Sequence, residues 1–282
     1  MKISALVENC APGNLESEHG LSLYIEYRGR RYLLDTGAHG AFLRNALKLG
    51  VPLEDVDTAI ISHDHYDHIG GMDDFFSVNH KAKVYIRKEA QNGQYYAEDG
   101  DSARYIGQRK GIFEEFPDRF RFVEGKVSLD PGVWLVPDGE EDPRYAGHSR
   151  NLLEELDGKL VPDRYLHEQS LVMENGDSLV LFNSCSHRGI ANITTNALRE
   201  FPGKRITHVF GGFHMMRTDQ ANGTHLMNCT PEYVKAVCGR LIELGVNQVY
   251  TGHCTGLAAF EELKKNLGDR LHYFQTGDTA EI

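Results

Sequence analysis

Residues 61–71 read "ISHDHYDHIGG". Within them, positions 63–68 hold three histidines and two aspartates. So dense a set of imidazoles and carboxylates is either a solvated polar loop or a metal site. The run before it, "DTAIIS", is short, apolar and partly β-branched, which suits a buried strand. Two glycines follow. A buried strand that delivers the chain straight into this cluster favours metal binding over a polar loop. His63 and His65 stand two apart, so in extended chain they point to one side. Asp67 and His68 then begin a turn. Such a loop can aim one pair at one cation and the other pair at a neighbour about 3.5–4 Å away, the spacing of two-metal hydrolytic sites. Zinc accepts imidazole nitrogen and carboxylate oxygen, and a catalytic zinc keeps one position for water. We expect one or two divalent ions, zinc first, with iron or manganese suited to the same donors.

The same placement recurs along the chain. Asp35 ends "YLLDTG", His187 ends "DSLVLFNSCSH", His214 ends "ITHVFGGFH" and His253 ends "NQVYTGHCTG". Each follows an apolar strand. In open α/β sheets functional groups gather where strands end, so five such ends, with that of His63, point to one shared site.

Between these strands the pattern alternates with helices. "ISALVEN" alternates like a strand, and "LSLYIEYRGRRYLLDTG" reads as two strands about an Arg-Gly-Arg turn. "AFLRNALKLGV" has helical spacing and stops at Gly50 and Pro52. "AKVYIRK" is another strand, "NITTNALREF" a helix with an Asn or Thr cap, and "LAAFEELKKNLG" a helix. "TPEYVKAVCGRLIELGV" is a helix capped by Thr230 with Pro231 in its first position. "RLHYFQTGD" reads as the final strand. Residues 90–165 are less regular, and we expect an insertion there, a lid or substrate-binding elaboration of a single domain spanning 1–282. Its Tyr95, Tyr96, Tyr105, Arg104, Arg109 and Lys110 would either cradle a phosphate and an aromatic ring or form a solvated helical face.

Composition bounds the function. The chain has 282 residues with 40 % hydrophobic and 25 % charged, ordinary for a globular α/β protein. The formal charge of −11 disfavours a nucleic-acid polymer, whose phosphates call for a basic face. A small anionic substrate needs only a local positive pocket. "MKISALVENC" lacks a signal-peptide core, and no run reaches the length of a membrane span. We therefore expect a cytoplasmic protein without nucleic-acid or membrane partners; the sequence leaves its oligomeric state open. The five cysteines, Cys10, Cys185, Cys229, Cys238 and Cys254, are odd in number and form no CxxC, so no disulfide framework is expected. Cys238 reads as a buried small hydrophobe and Cys254 as packing beside a ligand strand.

"SHDHYDHIGG" resembles the HxHxDH signature of the metallo-β-lactamase superfamily. "LLDTG", "LVLFNSCSH" and "TGHCTG" are similar to its other motifs, in order, along the whole chain. The resemblance implies a four-layer αββα sandwich with a metal site at one sheet edge and the inserted segment between its second and third metal motifs. It also implies that His63, His65 and His187 hold a first metal, and that Asp67, His68 and His253 hold a second. Where many members carry a bridging aspartate, this chain has "LFNSCS". Cys185 therefore stands open between a ligand and a buried thiol. Asp35 would support a ligand imidazole rather than bind metal. Asp64, between the first two histidines, would face solvent. Asp67 would orient or deprotonate water, and His214 would serve as general acid, oxyanion donor or substrate contact.

"EHGLSLYIEY", "SCSHRGIANI", "GGFHMM" and "TGHCTG" together are similar to a subfamily, the 7,8-dihydropterin-6-methyl-4-(β-D-ribofuranosyl)aminobenzene-5′-phosphate synthases. That context places His19 near the site. It implies C–N bond formation on a pterin with loss of pyrophosphate, as in a methanopterin-type dihydropteroate synthase, on a phosphorylated, pterin-like small molecule. Two rival readings are hydrolysis of a phosphoester or lactone, and a non-catalytic ligand or redox sensor that keeps its metal structurally. The remaining histidines (His39, His80, His148, His167, His208, His225 and His272) default to surface or core roles.

Overall fold

A computed structural model describes residues 1–100, 102–149, 151–218 and 224–282, the side chains of Asp99 and Thr218 excepted. The chain divides into two compact units. The first comprises Met1–Glu124, Arg150–Glu168 and Gln275–Ile282, and the second Gly125–Ser149 and Gln169–Phe274.

The first unit is built on a seven-stranded sheet. Its order is Thr279–Glu281, Lys2–Val7, Ser22–Tyr27, Arg30–Leu34, Thr58–Ile60, Lys83–Arg87 and Phe120–Val123. The first four pair antiparallel and the rest parallel. The Arg28-Gly29 turn has positive φ at both residues (49° and 76°), the geometry whose twist matches a two-residue hairpin. Helices Ala41–Leu49 and Met72–Val78 place Phe42 and Phe75 in a core with Leu33, Ala59 and Val84. The first helix ends on Gly50 in the left-handed region, as its sequence predicts.

The parallel stretch positions the motif. Arg30–Leu34 and Thr58–Ile60 run side by side in the same direction, with Leu34 paired to Ile60. Asp35 and the 61–68 segment therefore leave the sheet at the same edge.

The second unit also has a seven-stranded sheet, ordered Leu271–Tyr273, Gln248–Thr251, Arg205–Phe210, Ser178–Phe182, Gln169–Asn175, Val133–Pro137 and Val127–Asp130. The first four are mutually parallel. Helices Ile190–Glu200, Pro231–Glu243 and Leu257–Leu267 contribute Ile193, Val237, Leu241 and Leu263 to the core formed with Val172, Leu181 and Val209. The parallel strands all point their C-terminal ends one way, so the segments bearing Cys185 and His187, His214, and His253 and Cys254 leave this sheet together.

Several expectations need correction. Residues 90–165 are not one continuous insertion. Tyr95–Asp99, Ser102–Tyr105, Leu152–Leu156 and Lys159–Pro162 form a four-stranded antiparallel sheet in the first unit, while 120–123 joins its main sheet and 127–137 the sheet of the second unit. Weak alternation hid these short strands. The 95–105 stretch is a hairpin, so the solvated-helix reading fails. Helix 190–200 begins at Gly189, which has no side chain to cap it; the expected Asn or Thr cap lies inside the helix, where Thr194 and Thr195 bond back to the carbonyls of Ile190 and Ala191. Thr230 caps as expected, its hydroxyl accepting from Tyr233 N–H at 3.2 Å. The last strand is Thr279–Glu281, not the one begun at Leu271. It pairs with Lys2–Val7, a partner nearly the whole chain away.

Candidate metal centres of the two units

In the first unit the HxHxDH segment is buried rather than looped into water. His63 and His68 are 0 % exposed, His65 is 4 % and Asp67 is 7 %. The three imidazoles pack together, with His63 ring centroids 4.6 Å from His65 and 4.2 Å from His68. A one-turn helix, Tyr66–Ile69, carries Asp67 and His68. Its start is held by Tyr66 N–H on the Ile106 carbonyl at 2.7 Å.

Hydrogen bonds set the imidazole tautomers. Asp35 accepts Ser62 N–H on Oδ1 at 2.7 Å and the Ser62 hydroxyl on Oδ2 at 2.8 Å. With that proton committed, the Ser62 oxygen accepts from His63 Nδ1 at 2.8 Å. His68 Nδ1 donates to Asp35 Oδ2 at 2.8 Å. Both rings therefore carry their proton on Nδ1, leaving Nε2 as the donor atom for a cation. Asp35 thus accepts from both the Ser62 and the His68 side chains, at a strand end strained to φ 61°. Such a conformation costs roughly 1–3 kcal/mol and persists where neighbours over-determine it.

His68 Nε2 lies 3.5 Å from Asp67 Oδ2. Burial alone would lower the basicity of His68, but Asp67 and Asp35 outweigh it and push the ring up to about 10. A cation bound at Nε2 would take the place of that proton. Burial drives His65 the other way, down to about 4, against the pull of Asp163. His65 is thus neutral at pH 7, as a ligand must be.

His19 joins this group. Asn9 Nδ2 donates to its Nδ1 at 3.3 Å, so its Nε2 proton faces Asp67 Oδ2 at 3.3 Å. Asp64, expected in solvent, is 0 % exposed. Its carboxyl oxygens make no hydrogen bond of normal geometry. Burial pushes it well above the carboxylate range, against an opposing backbone N–H of Gln108.

Sequence reasoning missed a second layer of this cluster. Asp163 Oδ2 lies 3.9 Å from His65 Nε2 and 3.1 Å from His167 Nε2. Asp64 N–H donates to His167 Nδ1 at 3.0 Å, so His167 must carry its proton on Nε2 and give it to Asp163. His65, Asp163 and His167 lie close enough to share an ion. Both His167 nitrogens are already engaged, however, so the trio reads as a support that turns His65 Nε2–H toward Asp163 and leaves Nδ1 as the donor atom. Tyr95 stacks on His167 at 3.8 Å. No spacing rule links residue 65 to residue 163; the i, i+4 pairing of Asp163 with His167 was the one local signal.

The proposed phosphate cradle is not assembled. Arg109 is held by Asp73 and Glu115 at the surface, and Tyr95 is buried against His167. Arg104 lies over Tyr66 and Lys110 over Tyr105.

In the second unit, His187, His253, Cys185 and Cys254 are all buried. His187 Nδ1 shares a hydrogen bond with Ser149 Oγ at 2.9 Å, and its ring lies 4.5 Å from that of His214. Ser186, His214 and His253 all have φ near 50°, a second concentration of strand-end strain. Cys254 is more than packing. Its Sγ lies 3.5 Å from Cys185 Sγ and accepts His214 N–H at 3.2 Å. Burial alone would raise the Cys254 thiol; contacts with Cys185, His253 and His214 hold it well below the ordinary range.

Among the described residues, no helix is long and apolar enough to cross a membrane.

These donor sets meet a consistent set of relatives. The model of the metallo-beta-lactamase superfamily matches residues 17–155. A Methanocaldococcus jannaschii protein, 7,8-dihydropterin-6-methyl-4-(beta-D-ribofuranosyl)-aminobenzene-5′-phosphate synthase, is 26 % identical over 96 % of this chain and 94 % of its own. The crystal structure of Tm1679, a metal-dependent hydrolase of the beta-lactamase superfamily, is 29 % identical and superposes with a TM-score of 0.81, covering 100 % of this chain and 99 % of that one. Zinc-bound PqqB from Methylobacterium extorquens shares the fold at 10 % identity and TM-score 0.60, over 100 % of both chains. With the family model matched over residues 17–155 and its fold matched from end to end, the chain has the metallo-β-lactamase fold and is similar to the metallo-β-lactamase superfamily.

Proposed function

We propose that the protein is a metal-dependent enzyme with a hydrolase-type centre, acting on a small, phosphorylated or pterin-like molecule. The observation that carries this reading is the first unit's tautomer cage. Asp35, Ser62 and Asp163 turn three buried imidazoles so that His63 Nε2, His68 Nε2 and His65 Nδ1 remain as donors. Purely structural histidines need no such alignment. His63 and His65 would hold a first divalent ion. Asp67 and His68 would hold a second. Neutral imidazoles and a carboxylate suit zinc, iron or manganese.

A divalent cation there supplies Lewis-acid polarisation of a substrate oxygen and acidification of water. The chain's own residues do the rest. Asp35 and Ser62 hold the imidazole protons away from the donor atoms. His19 donates its Nε2 proton toward Asp67 and thereby orients the carboxylate that would position or deprotonate water.

Similarity to the archaeal synthase along nearly the whole chain supports C–N bond formation with release of pyrophosphate. Similarity to the metal-dependent hydrolase supports the alternative, hydrolysis of a phosphoester or lactone. The deciding experiment loads the full chain with zinc, manganese or iron. It then offers a dihydropterin diphosphate with a ribofuranosylaminobenzene phosphate and follows pyrophosphate release, in parallel with phosphodiester and lactone substrates. Turnover that disappears in Asp67→Ala supports the enzyme. Stoichiometric metal, no turnover on any substrate, and ligand binding unchanged by Asp67→Ala would leave the non-catalytic sensor instead.

A further inference from the structure

We propose that Cys185, Cys254 and His214 form a thiolate site in the second unit that takes a thiophilic divalent ion of the zinc type. All three donors follow parallel neighbouring strands, Ser178–Phe182, Arg205–Phe210 and Gln248–Thr251. The topology therefore gathers them at one sheet edge.

The geometry suits a metal better than a disulfide. Around zinc, two sulfurs at about 2.3 Å in a tetrahedral array stand ~3.8 Å apart, and a sulfur and an imidazole nitrogen ~3.6 Å apart. The two Sγ atoms are 3.5 Å apart, within a few tenths of an ångström of that edge. One ligand atom from each of Cys185, His214 and Cys254 lies within 4.8 Å of the others, so closure requires movements of about 1 Å. A disulfide requires the sulfurs to approach to about 2.05 Å, a shift of ~1.5 Å by two buried side chains.

The surroundings fix both sulfurs. Cys185 and Cys254 are 2 % and 4 % exposed. Backbone N–H of His214 donates to Cys254 Sγ at 3.2 Å, a contact that holds the sulfur in place. His214 Nδ1 is buried and makes no hydrogen bond within the described residues. Gly212 is required for this approach, since a Cβ there would stand 2.5 Å from Cys254 Sγ. Two cysteines and a histidine leave one coordination position open, the ligand count of a zinc site that accepts water or substrate. His214 is thereby a ligand rather than the general acid the motif order suggests.

The test uses the full chain, stripped of metal and reduced, titrated with cadmium(II) and with cobalt(II). A sulfur-to-metal charge-transfer band is expected with two-thiolate intensity. Cys254→Ser should halve it and His214→Ala should weaken the binding that produces it at least tenfold; melting curves confirm that both variants are folded. His63→Ala and His65→Ala should leave the band intact while lowering total bound metal, which separates this site from the centre proposed above. A band unchanged in Cys254→Ser but lost in Cys185→Ser would overturn the proposal. So would native protein isolated two mass units light, with the two cysteines joined.

Discussion

Replacing Asp163 by Asn probes the tautomer cage most directly. The carboxylate accepts Tyr165 N–H at 2.6 Å and the His167 Nε2 proton at 3.1 Å, and its charge faces His65 Nε2 at 3.9 Å. Asn has the same shape, but its single carbonyl oxygen can accept from only one of these two N–H donors, so a melting curve accompanies the measurement to confirm that the variant is folded. What disappears is the negative charge that favours the Nε2–H form of His65. Partners of this kind are worth 10–100-fold in metal affinity. At 3.9 Å the contact is too long for a hydrogen bond, so only its electrostatic part applies, and the lower end of that range is expected: about tenfold, or ~1.4 kcal/mol. Zinc affinity is measured by competition with a chromophoric chelator on stripped full-length protein, wild type against Asp163→Asn. Arg109→Ala serves as control, because its partners Asp73 and Glu115 lie on the surface. Equal affinities in wild type and Asp163→Asn would refute the tautomer argument. So would a drop matched by Arg109→Ala.

Other consequences follow from the same geometry. Ser62→Ala removes the oxygen between Asp35 and His63 and should lower zinc affinity by about tenfold, read by the same competition with little change in melting temperature. Gly70→Ala should destabilise by about 1–3 kcal/mol, because its Cβ would meet the Ala38 and Tyr66 carbonyl oxygens at 2.2 and 2.4 Å; an unchanged urea midpoint would contradict this. Thr230→Ala, which deletes the cap on Tyr233 N–H, should cost about 1 kcal/mol and leave metal content unaltered. Stripping the metal with a chelator should lower the melting temperature, since a ligand at a hundred times its dissociation constant stabilises by about 2.7 kcal/mol; zinc added back should restore it.

The elements that were legible share one trait, a strong local pattern. The strand before His63, the hairpin at Arg28-Gly29, the Gly50 stop and the Thr230-Pro231 start each depend on neighbours within a few residues. What escaped notice depends on distant partners. The 95–105 and 152–162 strands are short and half exposed, and they exist because they pair with each other. The terminal strand Thr279–Glu281 is three residues long and is defined by its partner Lys2–Val7. Asp64 looked like a solvent residue because its burial comes from elements remote in sequence.

By itself, the sequence determined the fold, the motif residues and the strand ends that carry them, because histidines and carboxylates crowded after buried strands have few other uses. Asp35 lies against His68 and His19 against Asp67. Only the tertiary structure decided which nitrogen of each histidine is left as a donor. That choice rests on hydrogen bonds accepted by Ser62 and Asp35 and on the charge of Asp163 facing His65, the last of them about a hundred residues from His65 and invisible to any local pattern. It likewise decided the company Cys185 keeps. Sixty-nine positions separate it from Cys254, and two parallel strands, not spacing along the chain, bring the two sulfurs together.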